Sequence, residues 1–171
     1  MLIKQHDRIF DLKTPKSLKL IYVAGKGLGL FANRNFRKGE VVISFANTLV
    51  NKSAASFEAV QVTDKKYLDT KWLVPETFIN HSCDPNTKLD FRPDRKSSCY
   101  RAIKNIIKNE EITFDYNTTD WNSADGSFKC RCGSKKCYGL VRGLKYLTRK
   151  QQDRLKPFVL PYLLKKLKWL L

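Results

Sequence analysis

Acidic residues are scarce in this chain: 16 stand against 33 basic ones in 171 residues, for a net charge of +17. That imbalance favours partners of opposite sign, namely nucleic acid, an acidic protein face or an anionic membrane. No run approaches the ~18 apolar residues of a membrane-spanning helix, so no transmembrane segment is expected. Charge interrupts the apolar residues of Met1 to Leu20 too often for a secretory core. The expected location is therefore intracellular, in the cytoplasm or nucleus. There is no internal repeat and no low-complexity linker. Five cysteines make no even disulfide framework, and in a reducing compartment clustered thiols more often hold metal than form disulfides.

What remains is an apolar content of 42%, ordinary for a globular protein and enough for one domain with a core plus a small appendage. The charge is uneven: about +7 before Phe57, about −2 from Glu58 to Asp125 and about +12 from Gly126 onward. Short β-branched and aromatic runs read as strands, at Leu20-Ile21-Tyr22-Val23, Val41-Val42-Ile43-Ser44-Phe45, Cys99-Tyr100-Arg101-Ala102-Ile103 and Glu111-Ile112-Thr113-Phe114. Lys145 to Phe158 and Tyr162 to Leu171 read as helical, punctuated by Pro157 and Pro161. In the second, Leu163, Leu167, Leu170 and Leu171 form one apolar stripe edged by Lys165, Lys166 and Lys168. Docking on the protein's own core is the preferred reading; a basic amphipathic helix for an anionic membrane or acidic partner is the other.

Four local patterns carry chemistry. Gly25-Lys26-Gly27-Leu28-Gly29 is a glycine cluster between strands that lets backbone approach a ligand, although alone it is no more than a tight turn. Asn80-His81-Ser82-Cys83-Asp84-Pro85-Asn86 follows, with Pro85 fixing its turn. Glu111-Ile112-Thr113-Phe114-Asp115-Tyr116-Asn117 comes next, then Cys130-x-Cys132-x4-Cys137. His6 has no partner motif and reads as surface. In this order the four patterns resemble the SET-domain family of protein-lysine methyltransferases, from about Leu18 to Gly139.

The resemblance implies a mostly β fold (β-rich α+β) of small curved sheets around a knot-like threaded crossing, which sets residues 80–86 beside 111–117. Expected boundaries are a lead at 1–17, the SET domain at 18–117, a post-SET segment at 118–140 and a basic helical tail at 141–171. The implied cofactor is S-adenosylmethionine, with its methionine end cupped by Lys26, Gly27, Leu28 and Gly29. Asn80 and the backbone around His81 would contact it too, as would Tyr116.

Tyr116 is the expected catalytic residue. Methyl transfer to lysine needs an uncharged amine, aligned and shielded from water, whereas free lysine titrates near 10.4. An apolar channel and a nearby positive sulfur push that value down, and a tyrosine hydroxyl at the channel's end orients the lone pair. Phe114 lies where a tyrosine restricts family members to one methyl group, so its phenyl ring implies di- or trimethylation. Many members carry a second tyrosine where Phe45-Ala46-Asn47 aligns here, which makes this channel more apolar.

Cys130, Cys132 and Cys137 offer three thiols, one short of a closed structural zinc site. Cys83 would be the fourth, as in the post-SET arrangement, with Cys99 left outside the set. Zinc would tether a segment otherwise joined through a flexible stretch, Thr118 to Gly126. The expected partner is a protein presenting a lysine, with a histone or nucleosome among the candidates; the basic ends offer contact with nucleic acid. Two other readings stay open: a catalytically idle SET-like module binding chromatin or nucleic acid, and a zinc-stapled interaction protein with a membrane-seeking tail. Oligomeric state is not readable.

Overall fold

Short strands and glycine-bearing turns leave little room for one continuous sheet, and the described residues instead build six small ones. The computed structural model describes residues 2–5, 8–11, 13–46, 48–56, 59–69, 74–92, 97–123 and 126–169. Leu2–Gln5 (β1) and Arg8–Asp11 (β2) form one antiparallel pair, and Leu18–Val23 (β3) and Gly27–Ala32 (β4) form another. Val41–Ala46 (β5) belongs to a three-stranded antiparallel sheet. Thr48–Asn51 (β6), Val60–Gln61 (β7) and Lys66–Asp69 (β8) make a second such sheet, ordered β6-β8-β7.

Asn80–His81 (β9) precedes Thr87–Arg92 (β10) and Ser97–Ala102 (β11), which complete the order β10-β11-β5. Thr113–Phe114 (β12) pairs with β9, and Phe128–Lys129 (β13) with Leu140–Val141 (β14). The four expected strand runs fall within or beside β3, β5, β11 and β12.

The β9–β12 pair is the part of the fold that matters most for function. It is parallel, with Thr113 opposite Asn80 and Phe114 opposite His81. Asn86 holds this crossing: its Nδ2 donates to the Glu111 carbonyl at 2.7 Å, and its Oδ1 accepts from the Thr113 N–H at 2.9 Å. Ser82 N–H donates to the Phe114 carbonyl at 3.0 Å. Parallel neighbours need a long connection, and here β10 and β11 fill it.

One core gathers Leu30, Phe36, Ile79, Ile106, Ile112 and Phe114 beneath these sheets. A second forms around Leu144, Leu155, Val159, Leu163 and Leu167, with Trp121 and Tyr138 against it. Its two helices are Arg149–Leu155 (α1) and Pro161–Trp169 (α2). The first begins four residues later than the expected Lys145. Thr148 accepts from the Gln151 N–H, Gln151 answers at the Thr148 N–H, and this capping box sets the start. Pro161 opens α2, where its missing N–H costs nothing.

The described members of the tail stripe, Leu163 and Leu167, are buried in the chain's own second core. Each such burial contributes roughly 1.5–3 kcal/mol. The preferred docked reading therefore holds for these positions; Leu170 and Leu171 lie outside the described residues, as do His6 and Asn47. Among the described residues no helix is long and apolar enough to cross a membrane.

The stretch after Asn117 departs from expectation. Thr118 and Thr119 are buried, the Thr118 carbonyl accepts from Leu160, and the Asp120 and Trp121 carbonyls accept from Leu144 and Lys145. Backbone bonds to the tail hold this segment, so its described part is no flexible tether. Gly143 makes the approach possible, because a Cβ there would lie 2.6 Å from the Trp121 oxygen.

Candidate active site and thiol centre

The turn between β3 and β4 is built by Gly25 and Gly27, both at positive φ. A side chain at Gly27 would meet nothing within 4 Å, so the turn presents open backbone there. At Gly29 the reverse holds: an added Cβ would lie 2.9 Å from Asn80 Nδ2 and 3.0 Å from Glu111 Oε1. Glycine lets the turn sit directly against the crossing. Glu111 joins the two, accepting from Lys26 Nζ at 2.7 Å and Asn80 Nδ2 at 2.8 Å. Asn80 Nδ2 also reaches the Leu28 carbonyl at 3.3 Å. Lys26, Gly27, Leu28, Gly29 and Asn80 are thus one local assembly with Glu111 as its hub, a role the sequence pattern alone did not suggest.

His81 faces the other way. Its Nδ1 accepts from the Tyr116 N–H at 3.2 Å, which leaves the proton on Nε2, 3.2 Å from Cys83 Sγ. Burial, with the Lys26 charge, lowers its pKa to about 4, so the ring is neutral at pH 7.

Tyr116 stands over this loop, its hydroxyl donating to the Ile79 carbonyl at 3.0 Å. Burial, then the Glu111 charge, raises its pKa to about 12, so the phenol keeps its proton. Phe114 lies 4.7 Å from the Tyr116 ring, Tyr100 4.9 Å from Phe114 and Phe45 5.7 Å from Tyr100, centroid to centroid. These four rings line a cavity of about 700 Å³. Phe128, on β13, packs edge-on to both Tyr116 and His81 and forms a further wall.

The sequence reading named Tyr116, Phe114 and Phe45 but passed over Tyr100, Phe128 and Glu76, which line the same cavity. Tyr100 places a hydroxyl-bearing ring directly against Phe45, where the expected second tyrosine is missing.

Cys83, Cys130, Cys132 and Cys137 converge, with all four sulfur atoms within 4.8 Å of one another. The Cys83–Cys130 separation is 3.7 Å, close to the edge of about 3.8 Å for a tetrahedron with metal–sulfur bonds near 2.3 Å. Backbone N–H groups of Tyr138 and Gly139 point at Cys83 and Cys137 sulfur, at 3.3 and 3.4 Å. Burial pushes the Cys83 thiol up and the Cys130 thiol up to about 12. Against its own burial, Cys132 is pulled down to about 7 by N–H groups of Cys83 and Ser134. Four thiols with outer N–H donors are a donor set that could hold one metal ion.

Next to that cluster, Tyr138 donates to Asp115 Oδ2 at 2.7 Å. Arg154 of α1 reaches the Tyr138 hydroxyl at 2.6 Å and the Cys83 carbonyl at 3.2 Å. One guanidinium therefore ties the tail to both halves of the thiol centre.

The chain is similar in sequence and in fold to known proteins. Histone-lysine N-methyltransferase mes-4 of Caenorhabditis elegans is 26% identical over 153 residues, covering 74% of this chain and 17% of that protein. Human histone-lysine N-methyltransferase 2B is 30% identical over 142 residues, covering 73% of this chain and 5% of its own length. The chain thus spans less than a fifth of these curated relatives. The solved structure of KRYPTONITE, in complex with mCHH DNA, an H3(1-15) peptide and SAH, has a similar fold, with a TM-score of 0.58 at 20% identity. That match covers 72% of this chain and 29% of KRYPTONITE. A family model described as SET domain matches residues 27–117, the stretch holding the glycine turn, the crossing and Tyr116, and the chain belongs to the SET-domain family.

Proposed function

We propose that this chain is an S-adenosylmethionine-dependent protein-lysine N-methyltransferase. The observation that carries this reading is the convergence at the β9–β12 crossing. There the open glycine turn meets Asn80, while Tyr116 is anchored on Ile79 at the wall of an aromatic cavity. Lys26, Gly27, Leu28, Gly29, Asn80 and His81 are the residues that would hold the cofactor. Bound there, it would supply a methyl group on a positive sulfur, for in-line displacement by an uncharged amine.

Because Tyr116 spends its proton on the Ile79 carbonyl, its oxygen lone pairs remain for the amine N–H. That acceptance turns the nitrogen lone pair toward the donor. Phe45, Tyr100 and Phe114 exclude water and favour the neutral amine. Phe114 offers no hydrogen bond to an amine or a water, which supports di- or trimethylation.

Zinc is the metal the four thiols suit, as a closed structural site with no open position for chemistry. It would hold β13, and with it Phe128, over the cavity. Histone-directed relatives favour a histone or nucleosome as substrate and the nucleus as the place of action. The basic ends would then recruit nucleosomal DNA through contacts that weaken with salt.

Incubation with methyl-labelled S-adenosylmethionine and nucleosomes, free histones or cell extract, followed by mass spectrometry of labelled lysines, tests the reading. Tyr116→Phe should keep cofactor binding and lower turnover by about a hundred-fold. Unlabelled lysine in all three mixtures, despite bound cofactor, would leave an idle chromatin-binding module as the better account.

A further inference from the structure

Glu76 lies four residues before Asn80, in the turn Pro75–Phe78. The residue is only 7% exposed, yet among the described residues its Oε1 has no hydrogen-bond partner. Its own backbone N–H supports the carboxylate, and among the described residues no ion pair reaches it. Buried acidic side chains in folded proteins are almost always paired, so an orphaned oxygen calls for an explanation.

The surroundings supply one. Glu76 lines the same cavity as Phe45, Tyr100, Phe114 and Tyr116, and its charge is felt at the Tyr100 hydroxyl. The other ionisable side chains on that cavity are Tyr67 and Lys52 from the β6–β8 region and Asp120 beyond Tyr116. Neither Lys52 nor any other described cation bonds to Glu76. A cavity lined by apolar rings and by a residue with a buried, unpartnered carboxyl oxygen matches a lysine side chain, which is an aliphatic stem ending in an ammonium.

We propose that Glu76 is the specificity-determining counter-charge of the lysine cavity: it captures the target side chain as its ammonium and then accepts that ammonium's proton, leaving the neutral amine that displaces the methyl group from sulfur. This rests on the methyltransferase reading and adds a residue to it. Without a cation in the cavity, burial pushes the Glu76 carboxyl up to about 7. A bound ammonium would restore the charge and lower that value. The carboxylate also accounts for selectivity: a neutral side chain of equal length would leave it unpaired.

The test uses n-butylammonium as the probe, with 1-butanol as its uncharged counterpart, at constant ionic strength and without methyl donor. The Glu76 carboxyl is followed by carbon NMR in the unaltered protein, which needs no variant. Saturable butylammonium binding with a fall in the Glu76 titration midpoint is expected, and 1-butanol should leave the midpoint in place. Glu76→Gln should weaken butylammonium at least about ten-fold and leave 1-butanol unchanged. An unmoved midpoint, or equal butylammonium affinity in Glu76→Gln, overturns the proposal. Labelled methyl transfer is measured separately. Cation binding at Glu76 with no methylated lysine sinks the reaction and keeps the site; full methylation by Glu76→Gln at unchanged KM does the opposite.

Discussion

Replacing Glu76 by Gln should change how stability depends on pH, in a direction the structure dictates. The folded-state pKa of this carboxyl is raised by burial from 4.5 to about 7. Between those values the folded protein holds a proton that the unfolded chain has released, so stability falls as pH rises. The full difference is about 3 kcal/mol, of which about 2 kcal/mol falls between about pH 5.5 and about pH 8. His81 works in the opposite sense. Its value is depressed to about 4, so it adds stability as pH climbs from there to its ordinary range. Buried Asp115, raised by burial, adds a further slope of the Glu76 sign.

The raw curve is therefore a sum, and only the difference between the two proteins isolates Glu76. Urea unfolding of both, at matched zinc and salt, should show Glu76→Gln gaining on the parent by about 2 kcal/mol across that range. A flat difference curve would refute the burial argument, since it would mean that the carboxyl is solvated or paired in the folded protein.

Cys83→Ser, or chelation, should release about one zinc per chain by metal analysis and abolish methyl transfer, while most β circular dichroism survives; full turnover without metal would contradict the holding of Phe128 over the cavity. Phe114→Tyr should shift the product toward monomethyl-lysine by mass spectrometry, because its hydroxyl occupies room and binds the amine or a water. Leu163→Ala removes a fully buried side chain of the second core and should cost about 2–5 kcal/mol in denaturant unfolding. A membrane-seeking role for that face predicts no such loss of stability in water.

Local chemistry explains what could be read from the sequence. Gly25 and Gly27 announce a turn because positive φ suits glycine. Cys130-x-Cys132-x4-Cys137 announces a donor set because thiolate spacing is short-range. Thr148 and Gln151 were an equally local signal: their spacing is that of a capping box, and it would have placed the start of α1 at Arg149 rather than Lys145. The stretch from Thr118 looked like a tether because nothing in its own residues shows that Leu144, Lys145 and Leu160 will bond to it.

Glu76 and Tyr100 were harder still. In sequence, one is a lone acid after a proline and the other a strand aromatic. They become cavity groups only when β11 lies against β5 and the turn Pro75–Phe78 packs against β4. Arg154 likewise reads as one more cation in a basic tail until α1 docks and brings it to Cys83 and Tyr138.

By itself, then, the amino-acid order determined the turn, the crossing motifs, the three thiols of Cys130, Cys132 and Cys137 and the mostly β character, since each depends on residues a few positions apart. Tertiary structure alone decided which rings share a cavity, that an unpaired carboxylate lies among them, and that the tail is bolted to the thiol centre. Those outcomes depend on contacts between residues tens of positions apart, made only when the sheets and helices pack.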